Sequence, residues 1–221
     1  MYYPHVNQTN LVNNRIVTVY GNGVLSVEPN VSEVELGVVT EELNLKTAQQ
    51  KNTRLIQQVI QSLINLGVSK ENIQTYDYTI HPRYDYLEGV QQFQGYQVTH
   101  MLTVTIENLD QTGTIIDTAV ANGANRISAI NFSVKNKGSY YQQALTKALE
   151  DAFTKAETIA NAMRLTLDPA PVKILEQQVQ QPPIPIQTLS SSEMVGNLST
   201  PIEPGKLKTV ANVKVMFYYY S

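Results

Sequence analysis

Three histidines are the first residues to test for chemistry: His5, His81 and His100. No two of them share metal-ligand spacing on one element, so a structural zinc site is not expected. His81 alternates with Arg83 and Asp85 on what reads as the polar face of a strand, where a surface pair is the expectation. His100 falls on an apolar face, the setting of a core or inter-strand hydrogen-bonding imidazole. The chain has no cysteine, which excludes thiolate ligands, disulfides and cysteine nucleophiles. Glu33 and Glu35, followed by Glu41 and Glu42, could do acid–base work as paired carboxylates, but a solvated strand face explains them. Ser190-Ser191-Ser192 has no Gly-x-Ser-x-Gly elbow around it. Gly21-Asn22-Gly23 lacks the third glycine and the following helix of a phosphate-binding fingerprint and reads as a turn. Lys135-Asn136-Lys137-Gly138-Ser139 precedes a helix without phosphate-loop spacing, and Ser139 is expected to cap that helix. No catalytic residue, metal ligand or cofactor site is assigned, and the chain is expected not to be an enzyme.

The tyrosines are different. There are 13, against 4 phenylalanines and no tryptophan. Tyrosine offers a large contact area with a polar tip and is enriched at interfaces. Tyr76, Tyr78, Tyr84 and Tyr86 recur on alternate positions, Tyr96 opens the next strand, and Tyr218 and Tyr220 close the chain. These seven are the candidate subunit-interface residues. A partly wet sheet face is the plainer alternative.

The elements that must position them follow from periodicity. Ile16–Tyr20 is β-branched and reads as a strand. Val24–Val27 is short and apolar, and Val31–Thr40 alternates as a half-buried strand. Residues 44–66 carry apolar side chains at helical spacing, with Gly67 placed for a left-handed cap. Tyr76–Tyr86 and Tyr96–Ile106 alternate and read as a long antiparallel hairpin, the connection holding Gly89 and Gly95. Pro82 cannot donate to a ladder, which puts its strand at an edge or a bulge. On the first of these strands Tyr76 to Tyr86 are expected to share one face. Residues 109–122 form a second amphipathic helix, Ile127–Val134 a strand, and Tyr140–Arg164 a third helix. That helix bears Ala144, Ala148, Ala152, Ala156 and Ala160, small residues that permit close packing. Val172–Val179 and Leu207–Tyr220 read as strands. Between them, residues 181–205 are rich in Pro and Ser and lack a period. The expected fold is α+β, a mainly antiparallel sheet with a long β-hairpin and three amphipathic helices packed on it. Residues 1–14 read as a flexible tail and 15–221 as the folded part, one domain or two α/β subdomains.

In order, Val-Tyr-Gly-Asn-Gly (19–23), Glu-Pro-Asn (28–30), Leu-Gly-Val-Ser-Lys-Glu-Asn-Ile-Gln-Thr (66–75), His-Pro-Arg-Tyr-Asp-Tyr (81–86), Gly-Tyr-Gln-Val (95–98), Ala-Asn-Gly-Ala-Asn-Arg-Ile (121–127), Phe-Ser-Val (132–134), Ala-Leu-Glu-Asp-Ala-Phe-Thr-Lys-Ala-Glu (148–157) and Pro-Ile-Glu-Pro-Gly (201–205) resemble the SIMPL-domain family. Asn30 stands where that family usually has Asp. The resemblance spans residues 15–220. It implies a bacterial envelope or periplasmic type of protein, with no established enzymatic activity, some members immunogenic and some linked to oxidative stress. A ring-shaped homo-oligomer among its members implies assembly here too, with the chain itself as the partner.

Length and charge bound the rest. With 221 residues, 42% of them hydrophobic, the chain can bury a sizeable core. Sixteen basic against 19 acidic residues leave a net charge of −3, so no excess of cations is available to neutralise nucleic-acid phosphates. No apolar run reaches transmembrane length. The N-terminus lacks a basic region followed by an apolar stretch, so no secretory signal is read. A cytoplasmic location is therefore the expectation from residues alone, with an envelope or surface location by a signal-independent route as the alternative. The favoured reading is a non-enzymatic, homo-oligomeric structural or interaction protein. The alternatives are a small-ligand or peptide-binding module and, behind it, an enzyme with a scattered site.

Overall fold

A computed structural model of the chain describes residues 15–177, 184–186 and 200–220. In chain order the elements are β1 (Ile16–Val27), β2 (Val31–Glu42), α1 (Leu45–Asn65), β3 (Ile73–Leu87), β4 (Val90–Ile106), α2 (Thr112–Ala121), β5 (Arg126–Ser133), α3 (Lys137–Ala162), β6 (Thr166–Gln177), β7 (Ile184–Ile186) and β8 (Lys206–Tyr220). The fold is α+β. It contains two sheets rather than one, with strand orders β1-β8-β6, where β7 also pairs with β8, and β3-β4-β2-β5. The chain forms two compact units. One holds β1, α3, β6 and most of β8; the other runs from β2 to β5 and takes residues 200–207 as well.

In the first unit the alanine stripe meets the sheet. Ala144, Ala148, Ala152 and Ala156 are fully buried against Val19, Val213, Val215 and Phe217. The strand β1 answers with glycine. A Cβ at Gly21 would overlap the carbonyl oxygen of Ala148, and one at Gly23 that of Ala144. The expected turn at Gly21-Asn22-Gly23 is therefore a correction: β1 runs unbroken through it, and the two glycines serve a close helix–strand approach. The exposed edge of β1 is closed by the same helix. Asp151 Oδ2 accepts from the Asn22 backbone N–H at 2.8 Å and from Lys155 Nζ at 2.7 Å, while Lys155 also donates to the Tyr20 carbonyl at 2.9 Å. The Lys155 hydrogen bond, then that of Asn22, holds the Asp151 carboxyl below its usual range. An i, i+4 pair thus fills two backbone positions that a neighbouring strand would otherwise take. The helix begins at Lys137, with Asn136 as its N-cap residue. Ser139 lies inside the first turn, so the expected Ser139 cap is corrected.

In the second unit α1 and α2 cover one face of β3-β4-β2-β5. Val34, Leu36, Val38, Ile56, Val59, Leu63, Leu102, Val104, Ile115 and Ala119 form its core. Asn52, 1% exposed, ties α1 to the sheet by donating to the carbonyls of Val38 and Val98 at 2.9 and 3.1 Å. Residues 200–202 strap onto α2. Asp117 accepts from both the hydroxyl and the backbone N–H of Thr200, which holds its carboxyl below the usual range. Gly113 leaves room for the Thr200 backbone, and Ile202 packs on the core. Most of the Pro/Ser-rich stretch 181–205 lies outside the described residues, as does the expected tail 1–14.

The glycine–alanine interlock is testable. Gly21→Ala should destabilise the protein by about 1–3 kcal/mol through overpacking. Gly138→Ala, where an added methyl meets nothing within 4 Å, should be neutral or stabilise by up to about 1 kcal/mol. Urea unfolding midpoints compare the two, and a Gly21→Ala midpoint equal to wild type refutes the close approach.

Candidate interaction surface on the long hairpin

The hairpin is longer than its periodicity indicates. β3 and β4 pair from Ile73↔Val104 to Leu87↔Val90, closed by Glu88-Gly89. Both closing residues have positive φ, 49° and 82°, the backbone of a two-residue hairpin turn. Gly95, expected in the connection, lies instead at a bulge within β4. Arg83 pairs with Gly95 and Tyr84 with Phe93, so Gln94 is the extra residue, and Gly95 takes φ 121°. Pro82 is on the edge strand, as expected.

The neighbouring strand stops short. β2 pairs with β4 only as far as Glu42↔Tyr96. Beyond that point residues 83–95 continue as a two-stranded ribbon. Such a ribbon alone is marginal in water. Its apolar side chains are nonetheless open: Tyr84 46%, Tyr86 72% and Phe93 44% exposed on one face, Leu87 61% and Val90 63% on the other. Tyr84, Phe93 and Tyr96 form a chain of edge-to-face rings, with centroids 5.6 and 5.2 Å apart. Stacking of this kind stiffens the root of the ribbon while leaving its tip uncovered.

The seven candidate tyrosines divide into four groups. Tyr84, Tyr86 and Tyr96 belong to the ribbon and its root. Tyr78 lies lower on the helix-facing side, its ring edge-on to His100 at 5.2 Å. Tyr76 does not share that face. A bulge between Thr75 and Asp77 makes Tyr76 the extra residue and turns it to the open side, where its hydroxyl donates to Glu35 Oε2 at 3.1 Å. The expected single face of Tyr76 to Tyr86 is corrected to that extent. Tyr218 and Tyr220 belong to the other unit, on the side of β8 opposite the buried Val213, Val215 and Phe217. The Tyr220 hydroxyl donates to Asp168 at 3.1 Å, and that bond raises its pKa. Phe93, Leu87 and Val90 were absent from the sequence expectation. The bulge breaks their alternation, and Glu-Gly is a weak turn signature.

The titratable groups are dispersed. His100 shares a 2.9 Å hydrogen bond between Nε2 and Thr75 Oγ1, and burial pushes its pKa down. His81 lies on the opposite face of the sheet, and Arg83 engages Glu41 rather than His81. Glu41 also accepts from Gln97 at 2.7 Å, and that bond, then the charge of Arg83, holds its carboxyl low. Among the described residues no three His, Asp or Glu side chains gather as a metal site would require, and no helix is long and apolar enough to cross a membrane.

Comparison with known proteins adds lineage. The family described as SIMPL, protein of unknown function (DUF541), matches residues 17–217. The 26 kDa periplasmic immunogenic protein of Brucella melitensis is 26% identical over 212 residues, covering 91% of this chain and 83% of that protein. Its counterpart of the same name in Brucella abortus matches equally. The uncharacterized protein YggE of Escherichia coli is 25% identical over 150 residues, 67% of this chain and 61% of that protein. The two Brucella proteins are named for the periplasm, which points to the cell envelope and overturns the expected cytoplasmic location.

The lowered pKa of His100 has a sign. An imidazole that is harder to protonate when folded lets the unfolded chain bind more protons as pH falls below about 6.5. Stability should therefore be complete above that value and decline as pH drops from it toward the folded pKa. His100→Gln should flatten that decline. Urea unfolding at pH 7.5 and 5.0 reads the difference, and an undiminished decline in the variant assigns the effect elsewhere.

Proposed function

The chain belongs to the SIMPL family, and from that premise we propose that it is a non-enzymatic, self-associating protein of the cell envelope whose contact element is the β3–β4 ribbon. One observation carries the reading: residues 83–95 extend past the last neighbouring strand and expose an aromatic face of Tyr84, Tyr86 and Phe93, with Leu87 and Val90 on the reverse. Fully burying a side chain such as Leu, Val or Phe contributes about 1.5–3 kcal/mol. The Tyr84, Tyr86 and Phe93 face therefore offers a few kcal/mol to whatever covers it, and Leu87 and Val90 add to this only in a partner that wraps the ribbon. Association itself costs at least about 4 kcal/mol, so one ribbon on a featureless surface gives weak binding. Two ribbons meeting symmetrically double the gain.

The free edge of β3 supports the same reading. Among the described residues no strand lies outside it. Some margins have local closures: β1 has Asp151 and Lys155, and β2 beyond the end of its β5 ladder has Asn125, whose side-chain amide bonds both the N–H and the carbonyl of Val39 at 2.8 Å. An edge left open is a template for strand addition. The non-enzymatic part rests on placement, since His81 and His100 occupy opposite faces of one sheet. The envelope part rests on the relatives named for the periplasm.

Size-exclusion chromatography with light scattering tests the proposal. The expected mass at micromolar concentration is a multiple of the 24.7 kDa chain. Tyr84→Ser with Phe93→Ser, at the exposed root and shaft of the ribbon, should weaken association by at least about tenfold, the effect of losing roughly 1.4 kcal/mol. A clean monomer for the unmodified chain contradicts it.

A further inference from the structure

The open face of the β3-β4-β2-β5 sheet carries a feature that self-association does not use. One row of cross-strand partners runs across all four strands: Asp77 pairs with Met101, Met101 with Gly37, and Gly37 with Arg126. The middle of the row is filled by Met101, whose thioether occupies the space beside Gly37. Gly37 has no side chain, and a Cβ there would overlap Met101 and the His100 carbonyl. Met101 is 3% exposed and contributes to the lining of the concavity beside it.

Both ends of the row are bulged. The register shift on β3 turns Tyr76 onto this face beside Asp77. A second shift, where β5 pairs with Glu35 and Leu36, leaves Ser128 as the extra residue beside Arg126. Bulges re-aim side chains and are over-represented next to functional sites. The two bulges, on different strands, border a concavity of about 300 Å3 whose lining includes Tyr76, Asp77, Met101, Arg126 and Ser128. That volume is at the small end of ligand sites.

The charges at the two ends are opposite and uncommitted. Among the described residues, Glu35 is taken by Tyr76, and Glu41 by Arg83 and Gln97. Neither Asp77 nor Arg126 joins an ion pair. Their backbones lie three inter-strand spacings apart, about 14 Å. Side chains that extend partway inward leave room for a molecule with charged ends roughly 5–7 Å apart, the length of about two extended residues.

We propose that this trough binds a small zwitterion of dipeptide size, its carboxylate on Arg126 and its ammonium on Asp77. Arg126 offers a planar fork suited to a carboxylate. Ser128 adds a hydroxyl at the same end. Met101 provides an apolar, adaptable floor for the hydrocarbon between the charges. The site lies within one unit and does not depend on the ribbon, so it stands whether or not the chain self-associates.

Saturation-transfer NMR with three probes tests it: Ala-Ala, N-acetyl-Ala-Ala, which lacks the ammonium, and Ala-Ala-amide, which lacks the carboxylate. Ala-Ala should bind saturably, and blocking either end should weaken binding at least tenfold. Arg126→Ala should bind Ala-Ala and Ala-Ala-amide alike, and Asp77→Asn should bind Ala-Ala and N-acetyl-Ala-Ala alike. The blocked probes act on the unmodified protein, so the test holds even if a variant misfolds. Absence of saturable Ala-Ala binding, equal binding of all three probes, or an Arg126→Ala variant indistinguishable from wild type overturns the proposal.

Discussion

Each sheet of this protein is covered by helices on one face only, and most other features follow from that constraint. A strand half-covered in this way must alternate, apolar toward the helices and mixed toward solvent. The covered faces consume the strongest apolar patterns: the α3 alanines against Val213, Val215 and Phe217, and Leu63, Ile56 and Ile115 against Leu36 and Leu102. The uncovered faces keep the charged side chains and much of the tyrosine. His81 and His100 sit on opposite sides of one layer, so they do not share a cleft between layers.

The two units meet the constraint by different means. The first relies on contact distance. Glycine in β1 and alanine in α3 bring backbone against side chain, and the same helix supplies Asp151 and Lys155 to the strand's free edge. The second relies on bulk and on tethers: Asn52 from α1, Thr200 on Asp117, Asn125 on Val39. The second unit leaves β3 as an edge strand and lets β3 and β4 run beyond β2. Bulk at Leu36 and Leu102 fixes the register at the base of the hairpin. The bulge at Gln94–Gly95 and the ring contacts of Tyr84, Phe93 and Tyr96 then set its course beyond the sheet.

Much of this was legible in the sequence because period reports burial. The first helix was placed within a residue of its ends, Gly67 took the expected positive φ of 94°, and the interior face of β4 was read correctly from Val98 to Ile106. The failures share a cause. Where an extra residue enters a strand, the period of two slips, and no side-chain pattern announces it. For this reason the alternation puts Tyr76 on the wrong face and leaves Phe93 and Val90 in the connection. Glycine misled in the opposite sense. Gly21 and Gly23 look like a turn when read locally, and only the alanines more than a hundred residues later explain them. The concavity between Asp77 and Arg126 is equally hidden, since it exists only when Asp77, Met101 and Arg126 are brought into one row. Family membership, by contrast, was carried by an ordered set of short segments rather than by any one of them.

The central claim is that the ribbon obtains from another copy of the chain the neighbour its own sheet does not give it. Amide hydrogen exchange across residues 83–95, followed as the protein is diluted from high to low micromolar concentration, addresses this directly. If copies supply the missing partner, protection of these amides should be strong when concentrated and fall on dilution, while the core amides of β2 and α1 remain unchanged. Exchange in the ribbon that is fast and independent of concentration would contradict the claim.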